Sequence, residues 1–382
     1  MSDFALFNQL SLNQAVQRGI DDLGFTELTA IQAQILPHTL AGQDAIGQAQ
    51  TGTGKTATFL ITIIEALLQR PFTEDEERYL GEPRALILAP TRELAQQIFD
   101  DCVALTKYTD LHSACIMGGV NYDSQLHELE RAYIDILIAT PGRLIDLINK
   151  NFVYLDRLEV LVLDEADRML DMGFIPDIKR LIGRMPPNTD RQSLLFSATF
   201  NQDVMSLAYK WLHEPVFVEI EPEHKTSDLV EQRFYMLAED QKLAVLEEII
   251  ASEEVDKLII FANRKDQVKR LYDKLRSRYD VVMLSGDVIQ QKRERYLQKF
   301  KDGQAKVLVA TDVAGRGIHV DDVSHVVNYT LPDQPDDYVH RIGRTGRAGQ
   351  TGISISFVSE DDAFNLPALE KHLGTKLKLV QW

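Results

Sequence analysis

Only two cysteines, Cys102 and Cys115, occur in 382 residues. They lack the spacing of a metal site, and so few thiols in a long chain are expected to stay reduced, in the cytoplasm, rather than form disulfides. No apolar run reaches the ~18 residues of a membrane-spanning helix, so none is expected. The opening MSDFALFNQLSL has neither a basic n-region nor an apolar h-region, which argues against a signal peptide. Internal repeats and low-complexity tracts are missing as well. Positive charge is scarce: 41 Lys and Arg face 58 Asp and Glu, a net of −17. A field of that sign opposes phosphate binding at long range. The deficit is uneven, with 33 acidic and 18 basic residues in Met1–Thr226 but 25 and 23 in Ser227–Trp382. Any nucleic-acid site must therefore be a local cleft of Arg, Lys and backbone N–H groups. The sequence stops soon after its last predicted strand without a basic tail, which predicts weak nucleic-acid binding in the absence of nucleotide.

What is present suits two domains. Hydrophobic residues make up 45% and charged residues 26%, as in a soluble globular protein. Apolar runs alternate with helical stretches at Ala45–Ala49, Ala85–Ala89, Ala114–Met117, Ile134–Ala139, Val160–Leu163 and Ser193–Phe196. They continue at Val230–Met236, Lys257–Phe261, Val281–Leu284, Lys306–Ala310, Val323–Asn328 and Ile353–Val358. Continuous β-branched runs predict strands buried on both faces, hence parallel sheet covered by helices. The fold class is α/β, twice. The polar, proline-containing stretch Glu219–Ser227 predicts a flexible linker, giving domains over 1–219 and 228–382 joined by 220–227. The acidic stretch Pro71–Pro83 reads as a solvated loop.

The first apolar run leads into a Gly-rich loop, Gln50–Thr56, and then a helical run, Ala57–Leu68. That strand–loop–helix context is what makes a phosphate-binding loop. Gly52 and Gly54 turn backbone N–H groups toward phosphates, Lys55 reaches the β- and γ-phosphates, and the Thr56 hydroxyl can serve Mg²⁺. The strict G-x-x-x-x-G-K-[ST] pattern is missed at Ala49 alone. Asp164, at the end of an apolar strand, is placed for a second Mg²⁺ contact. Glu165 follows as a general base for the attacking water. Charge spreading over the γ-phosphate needs cations, and Arg341, Arg344 and Arg347 lie among Gly343, Gly346 and Gly349, at the start of a predicted loop-helix segment in the other half. Such arginines act only when the halves close.

Six motifs run in order: AQTGTGKT (Ala49–Thr56), PTRELA (Pro90–Ala95), TPGR (Thr140–Arg143), DEAD (Asp164–Asp167), SAT (Ser197–Thr199) and HRIGRTGRAG (His340–Gly349). With them the chain resembles the DEAD-box ATP-dependent RNA helicases of superfamily two, over Phe7 to Val358. The resemblance implies two RecA-like domains, use of ATP, and local unwinding of short RNA duplexes. It implies that Phe7 stacks on adenine, in an element with Gly24, Phe25 and Thr29. Gln32 would then read the base edge. Gln50, Thr51, Gly52, Thr53 and Gly54 would cradle phosphates. Ser197 and Thr199 would couple nucleotide state to closure through Asp167, and His340 has a similar role.

The resemblance also implies RNA contacts at Pro90, Thr91, Arg92, Gly118, Gly119, Thr140 and Arg143. In the second half these are Arg264, Gln290, Arg293, Thr311 and Asp312. The family commonly reads A-R-G-x-D where this chain has Gly315, Arg316, Gly317, Ile318 and His319, so an aspartate thought to contact the ribose is replaced by His319. Gly317 and His319 are candidates for the nucleotide and Arg316 for the coupling. The AGRGIH wording and the acidic loop look most like the bacterial helicase of the RNA degradosome, which implies a scaffold partner, with a monomer as the default state. An ATP-gated RNA clamp that unwinds little remains an alternative, and a DNA-directed motor a weaker one.

Overall fold

The computed structural model describes residues 6–49, 52–72, 77–200, 202–220, 230–251, 255–315, 320, 323–346 and 351–382. The chain splits into two compact units, Met1–Glu221 and Pro222–Trp382. In the first unit β1 (Ala45–Gln48), β2 (Ala85–Leu88), β3 (Ser113–Ile116), β4 (Ile136–Ala139), β5 (Val160–Leu163), β6 (Gln192–Ser197) and β7 (Val216–Glu219) form one sheet. All pairings are parallel, in the order β3-β4-β2-β5-β6-β1-β7.

The continuous apolar runs explain the parallel arrangement. Alternate residues of one strand feed two separate cores, so both faces must be apolar. Ile87, Ile138 and Val162 pack on one face with Phe59, Ile63 and Ile98 from covering helices. Leu86, Leu137 and Leu161 pack on the other with Leu144, Leu147 and Met169.

The second unit repeats this plan with β8 (Val230–Met236), β9 (Leu258–Phe261), β10 (Val281–Leu284), β11 (Val307–Ala310), β12 (His325–Asn328), β13 (Gly352–Val358) and β14 (Leu379–Gln381). The order is β10-β11-β9-β12-β13-β8-β14, again all parallel. Numbered within its own unit, each strand has the same neighbours as its counterpart in the first.

Two strands, β7 and β14, are not among the expected apolar runs. Both lie at a sheet edge and are largely exposed, so only part of each strand had to be apolar. The arginine-rich stretch differs too. A helix, Pro335–Ile342, precedes it rather than follows it: Pro335 starts that helix and Gly343 caps it, which leaves His340 and Arg341 in its last turn. No helix among the described residues is long and apolar enough to cross a membrane.

Candidate nucleotide and nucleic-acid sites

In an all-parallel sheet every strand delivers the chain to the same edge, and ligands collect at those carboxyl ends. Loops after β1 to β6 carry Gly52–Thr56, Pro90–Arg92, Gly118–Gly119, Thr140–Arg143, Asp164–Asp167 and Thr199. After β1, Gly52 and Gly54 both have positive φ, +86° and +92°. A Cβ on Gly54 would also lie 2.6 Å from Gln32 Nε2 and 2.8 Å from Thr29 Oγ1, so glycine is required twice over. Lys55 is the first residue of the helix Lys55–Gln69, with Thr56 next. The Lys55 ammonium is buried and donates to the Ala49 carbonyl at 2.6 Å. That bond holds the cation under the loop.

Asp164 follows β5 and is buried. Burial pushes its carboxyl up to about 7, although the charge of Lys55 opposes the shift. Glu165 has left-handed backbone angles, φ 53° and ψ 53°, a conformation costing a non-glycine residue about 1–3 kcal/mol. Its Oε2 accepts from Arg168 Nη1 at 2.8 Å, and both side chains are buried. Arg168, unnoticed in the sequence, thus fixes the direction of the carboxylate; its place one turn into the helix after DEAD was the available signal. Thr199 donates to Asp167 Oδ2 through its backbone N–H and its hydroxyl, each at 3.0 Å, while Ser197 Oγ accepts from the Asp167 N–H at 3.2 Å.

One buried carboxylate and one hydroxyl beside a phosphate loop form a donor set that suits a hard divalent cation taking its other ligands from phosphate and water. Among the described residues no three His, Cys, Asp or Glu converge into an all-protein cage.

Two residues expected in the adenine element are buried in this structure. Phe7 is only 1% exposed and stacks on Phe25, with centroids 6.3 Å apart. Phe25 is 41% exposed. Packing wins because Phe7 lies on an apolar floor that includes Leu10, Val16 and Ile20. Gln32 is also buried. Its Oε1 accepts from Thr29 N–H at 2.8 Å, capping its own helix, and its Nε2 donates to Gly54 O at 3.3 Å, tying that helix to the loop.

Along the same edge, Thr91 caps the helix Arg92–Thr106. A Cβ on Gly119 would collide with the Arg92 guanidinium, so Gly118 and Gly119 let Arg92 lie across them. Thr140 is buried, and Arg143 stacks on Tyr122 with 5.1 Å from Cζ to the ring centroid. Arg143 Nη1 is buried without a hydrogen-bond partner among the described residues.

In the second unit Arg264 starts the helix Lys265–Leu275 and pairs with Asp266 at 3.0 Å. Arg293 Nη2 donates to Ala314 O at 2.7 Å, and Thr311 Oγ1 caps Ala314 N–H. Arg341 is not a surface cation. It is 1% exposed and binds both oxygens of Asp312, Asn263 Oδ1, Asn328 Oδ1 and Thr330 O. Asp312, expected as an RNA contact, therefore spends its carboxylate on Arg341. Arg344 donates from Nε to the His340 carbonyl at 3.2 Å. Gln50, Thr51, Arg316, Gly317, His319 and Arg347 lie outside the described residues, as does the side chain of Gln290.

The chain is similar to known proteins along almost its whole length. The DEAD/DEAH box helicase family matches residues 29–207, and the helicase conserved C-terminal domain matches 241–349. The ATP-dependent RNA helicase RhlB of Pseudomonas putida is 56% identical over 373 residues, spanning 97% of this chain and 93% of that one. The Pectobacterium carotovorum protein of the same name is 46% identical over 377 residues, 98% and 87%. Among solved structures, S. cerevisiae Dbp5 bound to RNA and ADP BeF3 superposes with a TM-score of 0.84 at 34% identity, covering 99% of this chain and 95% of that one. Mss116p bound to ssRNA and AMP-PNP gives 0.86 at 29% identity, covering 100% and 80%. The chain belongs to the DEAD-box family of ATP-dependent RNA helicases.

Proposed function

We propose that this RNA helicase hydrolyses ATP in an RNA-stimulated manner and uses it to separate short RNA duplexes locally, in the cytoplasm of a bacterium and in the service of RNA decay. The observation that carries the reading is the cluster of Lys55, Asp164 and Glu165, with Glu165 strained and fixed by Arg168. Lys55 and the backbone of Gly52–Thr56 hold the triphosphate, and Phe25 offers adenine a ring. Gln32 ties the loop to the helix start through one donor and one acceptor site, and its second N–H and second lone pair are the groups with which it would read the base edge. Thr56 and Asp164 would hold a Mg²⁺ ion, which would neutralise charge on the β- and γ-phosphate oxygens. Glu165 takes a proton from the attacking water.

The RNA contacts proposed for Arg92, Gly118, Gly119, Thr140 and Arg143, and for Arg264, Arg293 and Thr311, are to phosphate and sugar, so they carry no sequence preference. Closure of the units supplies Arg344, and with it Arg347, to the γ-phosphate and bends one RNA strand away from its complement. ATP and RNA each favour the closed form, so each raises the affinity for the other. Asp167, Ser197 and Thr199 transmit that preference. A degradosome-type scaffold is the proposed protein partner.

The test is Glu165→Gln. ATP binding is expected to survive while RNA-stimulated turnover falls by about 10²–10⁴-fold. Normal hydrolysis by that variant would remove the base assignment. Strand displacement on a short duplex, repeated with DNA and with GTP, separates unwinding from clamping and RNA from DNA.

A further inference from the structure

The segment Arg264–Lys306 holds 13 basic and 6 acidic residues, in a chain whose net charge is −17. It covers the outer edge of the second sheet, where β10 has a strand on one side only. The helix Lys265–Leu275 packs on one sheet face through Val268, Leu271 and Leu275. The helix Gln290–Lys301 packs on the other through Tyr296, Leu297 and Phe300. Around the edge between them Tyr272 and Tyr296 meet, with hydroxyls 3.3 Å apart and ring centroids at 6.4 Å. Lys292 lies over the Tyr296 ring at 5.3 Å and Arg276 over Tyr272 at 5.6 Å.

We propose that this edge is a second RNA-binding surface, continuing the strand's path beyond the contacts at Arg264 and Arg293; it rests on the RNA reading given above. Charge selects a polyanion. Lys292, Arg295 and Lys299 form no ion pair among the described residues and recur about one helical turn apart, roughly 5–6 Å, a repeat that a single-strand backbone can follow. Arg293 ties the first turn of the same helix to the Thr311–Gly315 segment, so surface and RNA contacts share a rigid element. The tyrosine pair adds what an acidic peptide does not require: partly exposed aromatic rings, beside cations, on which a base can stack. A guard against edge pairing would need charge alone.

The test compares the full-length protein with Lys292→Gln/Lys299→Gln, and separately with Tyr272→Leu, by anisotropy with a short and a much longer oligouridylate across a KCl series. For the long strand, the lysine variant should bind on the order of tenfold more weakly, with a log–log salt slope shallower by about 1.4, the share of two phosphates. Tyr272→Leu should weaken the long strand several-fold with an unchanged slope. Short-strand affinity and short-strand-stimulated ATPase should match the parent. Identical long-strand isotherms in all three proteins, with native melting, would overturn the proposal, as would equal displacement of the long strand by polyglutamate. If the parent bound no short strand, the RNA reading and this surface would fall together.

Discussion

β1 and β8 occupy the same place in sheets of identical order, and each leads into a helix whose first residue is a lysine. The two lysines live differently. Lys55 lies beneath a loop with two glycines at positive φ, beside Asp164, the first residue after β5. Lys242 follows a loop, Leu237–Gln241, without any glycine and is 0% exposed. Its ammonium donates to Asp362 Oδ2 at 2.8 Å, to Ser359 Oγ at 3.1 Å and to Glu239 Oε2 at 2.9 Å. The first residue after β12 is Tyr329, whose ring lies 5.6 Å from that ammonium. Asp362 also accepts from Ser359 N–H and Oγ–H and from Leu331 N–H. A lysine, a hydroxyl and two backbone N–H groups therefore surround an internal carboxylate, much as a phosphate is surrounded in a nucleotide loop. The sheet order does not make a nucleotide site. Glycines that open the loop, and a carboxylate delivered after β5 rather than into the anion's own place, do.

In the function proposed above, the first unit holds the triphosphate and the second supplies its cations. The largest expected effect is accordingly at Arg344. Arg344→Ala should lower RNA-stimulated kcat by about 10³-fold or more, the usual worth of an arginine finger, while leaving ATP affinity near the parent value. Arg341→Ala should behave as a folding lesion, because it strands Asp312 in a largely buried site. If Arg344→Ala kept its turnover and lost ATP binding instead, the division of labour between the units would be wrong.

Lys242 sharpens the comparison next. Removing one partner of a buried ion pair costs about 3–5 kcal/mol, since the other charge is left uncompensated. Asp362→Ala should therefore depress the denaturant midpoint of the second unit strongly, and Lys242→Met/Asp362→Leu should recover only part of the loss, since the Ser359 and Leu331 N–H groups stay without an acceptor. Lys55→Met should do the reverse, abolishing ATP hydrolysis with little change in melting. Equal destabilisation by Lys55→Met and Lys242→Met would erase the distinction between a lysine that waits for a ligand and one that already has it.

The sequence exposes one side of this comparison only. The strand cores and the Gly52–Thr56 loop are contiguous, and contiguous chemistry is legible. Asp362 meets Lys242 across 120 residues, and nothing local marks either of them. Arg341 looked like its neighbours because spacing among glycines does not reveal which arginine turns inward. Only the family resemblance gives Phe7 to adenine, and the apolar floor beneath it is assembled from helices that follow it. β7 and β14 escaped notice because an edge strand needs little apolar pattern.

The smallest expected effect tests how the two units handle buried acid. Asp312 and Asp362 in the second unit have Arg341 and Lys242. In the first, burial raises Asp44, which accepts from the Ser193 and His213 N–H groups, and Glu65, which accepts from the Asn13 N–H and the Gln69 side chain, and lifts Asp101 to about 6, with the neighbouring charge of Asp100 adding to the shift. A carboxyl raised in the folded state binds its proton more tightly there than in the unfolded chain. Its penalty is absent below the unfolded value of 3.8 and grows as pH rises toward and through about 6. Asp101→Asn should thus stabilise the first unit at pH 7.5, by no more than about 2 kcal/mol once solvent screening is discounted. The gain should vanish at pH 3.5, where both proteins carry a neutral group. Urea unfolding at the two pH values checks this; an equal gain at both would mean that Asn packs better there than Asp, and that charge plays no part.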